Sequence, residues 1–136
     1  MKVIFIILLL LVSIRAFAPA YTTIIIGRSE GIDPYKTIKY AIGMVECRLD
    51  TVIINPFEQA YGYFQVRQVR LNDYYDRTGI KYSLRDMLDY DKAERVFMYY
   101  AAHIGYRNPG KIAREWNGSG PKTWVYWNKV RKFLII

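Results

Sequence analysis

Asp33-Pro34-Tyr35-Lys36-Thr37-Ile38-Lys39-Tyr40-Ala41-Ile42-Gly43-Met44-Val45-Glu46-Cys47-Arg48-Leu49-Asp50 is the stretch on which the reading of this chain turns. Asp33 before Pro34 predicts a helix start, with Asp as N-cap and Pro at the first helical position. Ile38, Ile42, Val45 and Leu49 follow at helical spacing and define one apolar stripe. At about 100° per residue, Glu46 falls roughly 60° from Leu49 and roughly 40° from Ile42, at the margin of that stripe. A carboxyl partly shielded by apolar groups keeps its proton to higher pH, which a general acid needs. The same position also suits a boundary glutamate that simply reaches water.

Downstream, the segment from Asp50 to Tyr61 contains Asn55-Pro56 and reads as an irregular stretch or a short hairpin. A helix is expected over Val69 to Thr78, closed by Gly79 at a C′ position. Ser83 and Asp86 fit a capping box with Asp in place of Glu. Beyond them Ala93, Val96, Phe97, Tyr100, Ala101 and Ile104 give the clearest amphipathic pattern. Asn108-Pro109 starts a short helix through Trp116, and Asn117 to Pro121 forms a turn. A last helix runs from Lys122 to Phe133 with Trp124, Trp127 and Val130 on one side. The pattern predicts a mainly α fold: one compact helical domain with a hairpin or irregular segment, without repeats or low-complexity tracts.

Upstream, Met1-Lys2 precedes an unbroken apolar run from Val3 to Val12, and small residues stand at Ala16, Ala18 and Ala20. Residues 1–20 therefore read as an export signal, the apolar run being short for a spanning helix. Retention of residues 3–14 as an uncleaved membrane anchor is the alternative. The domain then covers residues 21–136, with Tyr21 to Gly31 as a lead-in, in a periplasmic or extracellular setting. The chain carries 20 Lys and Arg against 12 Asp and Glu, and stays basic after Lys2 and Arg15 are removed. Such charge draws a protein to polyanions. Export favours the bacterial wall over nucleic acid, which is not expected as a partner. One cysteine, Cys47, rules out an intrachain disulfide. With a single histidine, His103, a metal cluster has no ligand set, and no cofactor is implied. His103 reads as structural or surface, and Cys47 as a small residue facing another helix. Aromatic residues make up 16% of the chain, enough to build a core, a sugar groove or both.

Two later segments add to Glu46: Ala60-Tyr61-Gly62-Tyr63-Phe64-Gln65-Val66 and Ile112-Ala113-Arg114-Glu115-Trp116-Asn117-Gly118. In this order and spacing the chain resembles the lytic transglycosylases and goose-type lysozymes of the lysozyme-like superfamily, over roughly Ile32 to Val130. Their pattern is a helix ending in Glu-Ser, a Gly-Leu-Met-Gln-Ile-like segment, and Ala-Tyr-Asn-Ala-Gly near the C-terminal helices. The resemblance implies an α+β lysozyme-like fold in which Glu46 is the catalytic acid. Gly62 would be the glycine that lets backbone approach the sugar, and Gln65 the glutamine facing the groove. Tyr63 and Phe64 stand for Leu-Met, Trp116 for the tyrosine and Asn117 for the asparagine, and these four, with Asn55 and Tyr100, would bind the sugar in the groove. Asn55 stands where relatives often place a polar residue near the glutamate. Departures are Cys47 for serine, Trp116 for tyrosine, and Gly118-Ser119 for Ala-Gly. A tryptophan cannot accept a hydrogen bond as a hydroxyl does, so Tyr100 or Tyr63 would have to orient the acid.

The activity so implied is a monomeric muramidase that cuts peptidoglycan glycan strands with one carboxyl. Glu46 protonates the glycosidic oxygen, and the muramic acid 6-hydroxyl attacks to leave an anhydro end. Asp50 and Glu58 are the nearest carboxylates for activating water instead. A non-catalytic glycan-binding module and a membrane-anchored lysis or assembly factor remain as alternatives.

Overall fold

The computed structural model describes residues 31–134. The expected signal segment, its possible anchor and nearly all of the 21–31 lead-in lie outside the described residues. The fold is mainly helical, with one two-stranded sheet.

Helix α1 spans Lys36–Glu46 and buries Ile38, Ala41, Ile42 and Gly43. It begins later than its sequence suggests. Asp33 is not the N-cap; its Oδ1 accepts the Tyr35 amide at 2.9 Å, forming a turn that precedes the helix. The Lys39 ammonium bridges Asp33 and Glu94, tying the start of α1 to a later helix. The amides of Cys47 and Leu49 both return to the Gly43 carbonyl, and Arg48 and Leu49 adopt positive φ. This turn carries Leu49 off the stripe and leaves it 39% exposed, contrary to the sequence reading.

The following segment is a hairpin. Strands β1 (Ile54–Asn55) and β2 (Ala60–Tyr61) pair antiparallel, Ile54 with Tyr61 and Asn55 with Ala60. Helix α2 spans Gln68–Thr78 and stops at Gly79, whose φ of 71° is the left-handed C-cap expected from the sequence. Ser83 and Asp86 make the capping box reciprocally, and it opens a 3-10 helix, Leu84–Leu88. Helix α3 (Tyr90–Ile104) then takes its own N-cap, Asp89, which accepts the Lys92 amide. Helix α4 covers Pro109–Asn117 and α5 covers Lys122–Val130, continued by a 3-10 turn at Arg131–Phe133.

The core is aromatic. Phe64 is fully buried and stacks on Phe97 with centroids 4.5 Å apart; Trp116 meets Phe97 edge-on at 5.1 Å. Such pairs contribute about 1 kcal/mol each beyond the area they bury. Gly43 supplies a notch in α1 for the Tyr63 ring, since a Cβ there would lie 2.1 Å from Tyr63 Cζ. Helix α5 turns Val130 and Trp127 toward the core as the sequence suggested, but not Trp124. Thr123, Tyr126 and Val130 are buried, whereas Trp124 is 56% exposed beneath the Arg114 guanidinium. Residues i, i+3 and i+7 face the core, and that stripe excludes Trp124.

Candidate active site

Glu46 is the last residue of α1, so the helix axis delivers its side chain to the place where the chain turns away. It is half-buried. Its Oε1 accepts the Tyr126 hydroxyl at 2.6 Å, from the buried face of α5. Desolvation raises the Glu46 pKa to about 7, with the Glu58 charge adding to the rise. The Tyr126 hydrogen bond and the charges of Arg67 and Lys129 pull it down without cancelling burial. Burial and the neighbouring carboxylate in turn push the Tyr126 hydroxyl far up. Tyr126 therefore remains a donor, and Glu46 is shared between neutral and ionised forms near neutrality.

The carboxyl faces a groove of about 620 Å³. Gln65, Val66, Arg67 and Arg70 form one wall, Trp116, Asn117 and Gly118 another, with Tyr126 and Lys129 completing the end near Glu46. Gln65 holds a φ of 47°, unusual for a residue with a side chain. Its amide nitrogen donates to the Gly62 carbonyl at 2.9 Å, which fixes the side chain over its own turn. A second cavity of about 370 Å³ meets the groove along Arg70, Asp73, Trp116 and Gly118.

The structure brings Glu46, Gln65, Trp116 and Asn117 to this groove and leaves the other expected binding residues elsewhere. Phe64 is core, with no exposed surface. Tyr63 is buried in the α1 notch, and its carbonyl accepts the Cys47 thiol at 3.3 Å. Gly62 has a φ of 73° and faces the 3-10 helix, where a Cβ would stand 1.8 Å from the Met87 carbonyl oxygen. That glycine serves a close backbone crossing, not an approach to ligand. Asn55 accepts the Phe57 and Glu58 amides and so caps the hairpin turn, fixing the backbone of Glu58 at the groove rim. Tyr100 donates to Asp73 at 2.7 Å and lines the second cavity.

Neither Tyr100 nor Tyr63 hydrogen-bonds Glu46; Tyr126 does. Trp116 spends its indole N–H on the Phe64 carbonyl at 3.0 Å, a buried bond that ties α4 to the segment before α2. Of the two carboxylates considered for activating water, Asp50 is occupied in a turn with the Val52 amide, while Glu58 lines the groove. Glu58 stands 4.0 Å from Arg67. Cys47 is buried in the core, with its thiol 3.3 Å from both the Gly43 and the Tyr63 carbonyl oxygens. His103 sits exposed near the end of α3, with Nδ1 against the Tyr99 carbonyl.

Sequence reasoning missed Tyr126, Arg70 and Asp73. The signal for Tyr126 was present: Thr123, Tyr126, Trp127 and Val130 form a complete i, i+3, i+4, i+7 stripe. The charged pair on α2 carried no comparable mark, since Arg70 and Asp73 sit on a helix that reads as polar and solvated. Compared with models of protein families, with curated proteins and with solved structures, the chain matches none.

Proposed function

We propose that this chain is an exported, lysozyme-like muramidase that cleaves the β-1,4 bond between N-acetylmuramic acid and N-acetylglucosamine by a lytic transglycosylase mechanism. The observation that carries the reading is the Glu46 carboxyl, desolvated to a pKa of about 7, held by Tyr126 and facing a groove of sugar-binding size. A buried carboxyl that stays half protonated at neutral pH is what a general acid requires and what a surface glutamate lacks.

In this reading neutral Glu46 gives its proton to the glycosidic oxygen as the C–O bond breaks and positive charge grows on the muramic acid ring. Tyr126 keeps its hydrogen bond to the resulting carboxylate and limits the cost of that charge in a dry site. The muramic acid 6-hydroxyl then attacks the same anomeric carbon, and Glu46 recovers the hydroxyl proton. The product is a 1,6-anhydro end, and the acid is restored. Glu58, anchored at the rim through the Asn55 turn, is the group that would serve an attacking water instead. The glycan strand is the partner, and the basic groove residues Arg67, Arg70 and Lys129 add attraction to an anionic wall.

The test is digestion of purified walls by the domain, with mass spectrometry of the released muropeptides. Anhydro ends and their loss in Glu46→Gln are expected. Reducing ends alone would reassign the second step to water, and undiminished release by Glu46→Gln would remove Glu46 as the acid.

A further inference from the structure

Apolar side chains left in water concentrate on the stretch between α1 and the hairpin turn. Leu49, Val52, Ile53, Ile54 and Phe57 are all exposed, Val52 by 64% and Phe57, in the turn between β1 and β2, by 97%. Elsewhere among the described residues, large apolar side chains are exposed singly along the chain or as the neighbours Trp124 and Val125. Single exposures are ordinary, whereas a run of this kind marks a surface that meets something. Much of the backbone here is already bonded within the segment. The Val52 amide donates to Asp50 Oδ1, and the Ile53 carbonyl accepts the Gly62 amide at 2.9 Å. Ile54 and Asn55 pair with Tyr61 and Ala60, and Asn55 Oδ1 accepts the Phe57 and Glu58 amides. The charges of the segment are unequally engaged. Asp50 is used in its turn and Glu58 stands 4.0 Å from Arg67, while Arg48, also exposed, makes no ion pair among the described residues.

These features together suit a lipid surface. An apolar tip enters a bilayer interface at low cost only when its amides and carbonyls already have partners, because lipid tails supply none. A protein partner would favour tyrosine, tryptophan and arginine at the centre of the contact; here the centre is aliphatic with one phenyl ring. The unpaired Arg48 and the chain's net charge of +8 complement an anionic headgroup layer. We propose that residues 49–57 are a docking surface for an anionic bilayer, with Phe57 and the aliphatic side chains entering the interface while Arg48 stays among the headgroups. This contact belongs to the folded domain and is separate from the apolar run at residues 3–14. Glu58 follows Phe57 directly and lines the groove, so docking sets one rim of the groove beside the membrane. The inference stands on the hairpin alone and does not depend on cleavage at Glu46.

The experiment places an environment-sensitive nitrobenzoxadiazole label on the full chain through Phe57→Cys and, as a control, through Ser119→Cys in the exposed turn between α4 and α5. Cys47 is buried, and the parent treated with the same reagent supplies the background. The vesicles are phosphatidylcholine alone or phosphatidylcholine with phosphatidylglycerol. Residues 3–12 are apolar enough to bind vesicles by themselves, so the surroundings of the label decide the matter and total binding does not. On anionic vesicles the Phe57 label is expected to emit at shorter wavelength and lose access to aqueous iodide, while the Ser119 label stays in water. Adding Val52→Asp should lower the ratio of docked to free label about tenfold or more, the effect of withdrawing one apolar side chain from the interface. A Phe57 label that stays in water on vesicles that hold the protein overturns the proposal. Equal shifts at the two labels overturn it as well. A shift as large on phosphatidylcholine alone removes the charge argument and with it the anionic surface. A shift that follows protein concentration without lipid reassigns the surface to a second copy of the chain.

Discussion

Replacing Glu46 with Gln should make the protein more stable at alkaline pH, and the size of the effect follows from the site. Folding raises the Glu46 pKa from 4.5 to about 7, mainly by desolvation. A carboxyl raised in this way contributes fully below its unfolded value, and that contribution is lost as pH rises through the folded value. Each tenfold difference in proton affinity between the folded and unfolded chain is worth about 1.4 kcal/mol. The parent should therefore lose about 2.5 kcal/mol between pH 5 and pH 8 from this group alone. Gln has nearly the same shape, accepts the Tyr126 hydroxyl and never ionises. The stability gap between variant and parent should therefore be small at pH 5 and about 2.5 kcal/mol larger at pH 8. For a domain of this size the gap corresponds to a melting-temperature difference on the order of 10 °C. Urea unfolding of both proteins at the two pH values measures it directly. A gap that is the same at both would show that Glu46 ionises as freely in the folded chain as in the unfolded one, and the argument for a proton donor would fail with it.

Tyr126→Phe removes the hydrogen bond that lowers the Glu46 pKa, so the alkaline limb of the pH–rate profile should move up from about 7 while the maximal rate falls roughly tenfold. An unmoved limb would show that Tyr126 does not touch the acid in solution. Trp116→Phe leaves the buried Phe64 carbonyl without its donor and should cost about 1–3 kcal/mol in urea unfolding. Gly62→Ala places a methyl against the Met87 carbonyl at a positive φ; destabilisation of about 3 kcal/mol or more is expected by circular dichroism melting.

Helices α2 and α4, the capping box and the hairpin were legible because each is written in local chemistry: a left-handed glycine, a Ser-Asp pair, a proline after asparagine, apolar residues at one period. Glu46 was legible for the same reason, as its distance from the stripe is a property of one helix. Its partner was not. Tyr126 is 80 residues away, and although its apolar stripe on α5 is complete, no local pattern says that this stripe meets Glu46. Tyr63 and Phe64 were placed in the groove by analogy of position. Their rings are large and apolar, and the Gly43 notch and the stack on Phe97 bury them instead. Leu49 left its stripe because the helix ended three residues early, which depends on a turn at Arg48 and Leu49 that periodicity cannot detect.

The lone thiol between the acid and the Tyr63 turn gives this protein a built-in gauge. Cys47 is 5% exposed, its one S–H is shared between two carbonyl oxygens, and burial pushes its pKa up, so almost no thiolate is present for an alkylating reagent to meet. Modification must wait until the segment after α1 swings open. The labelling rate, set against that of the unfolded chain, therefore reads the free energy of that local opening. No engineered probe is needed to learn how firmly the end of the first helix is held.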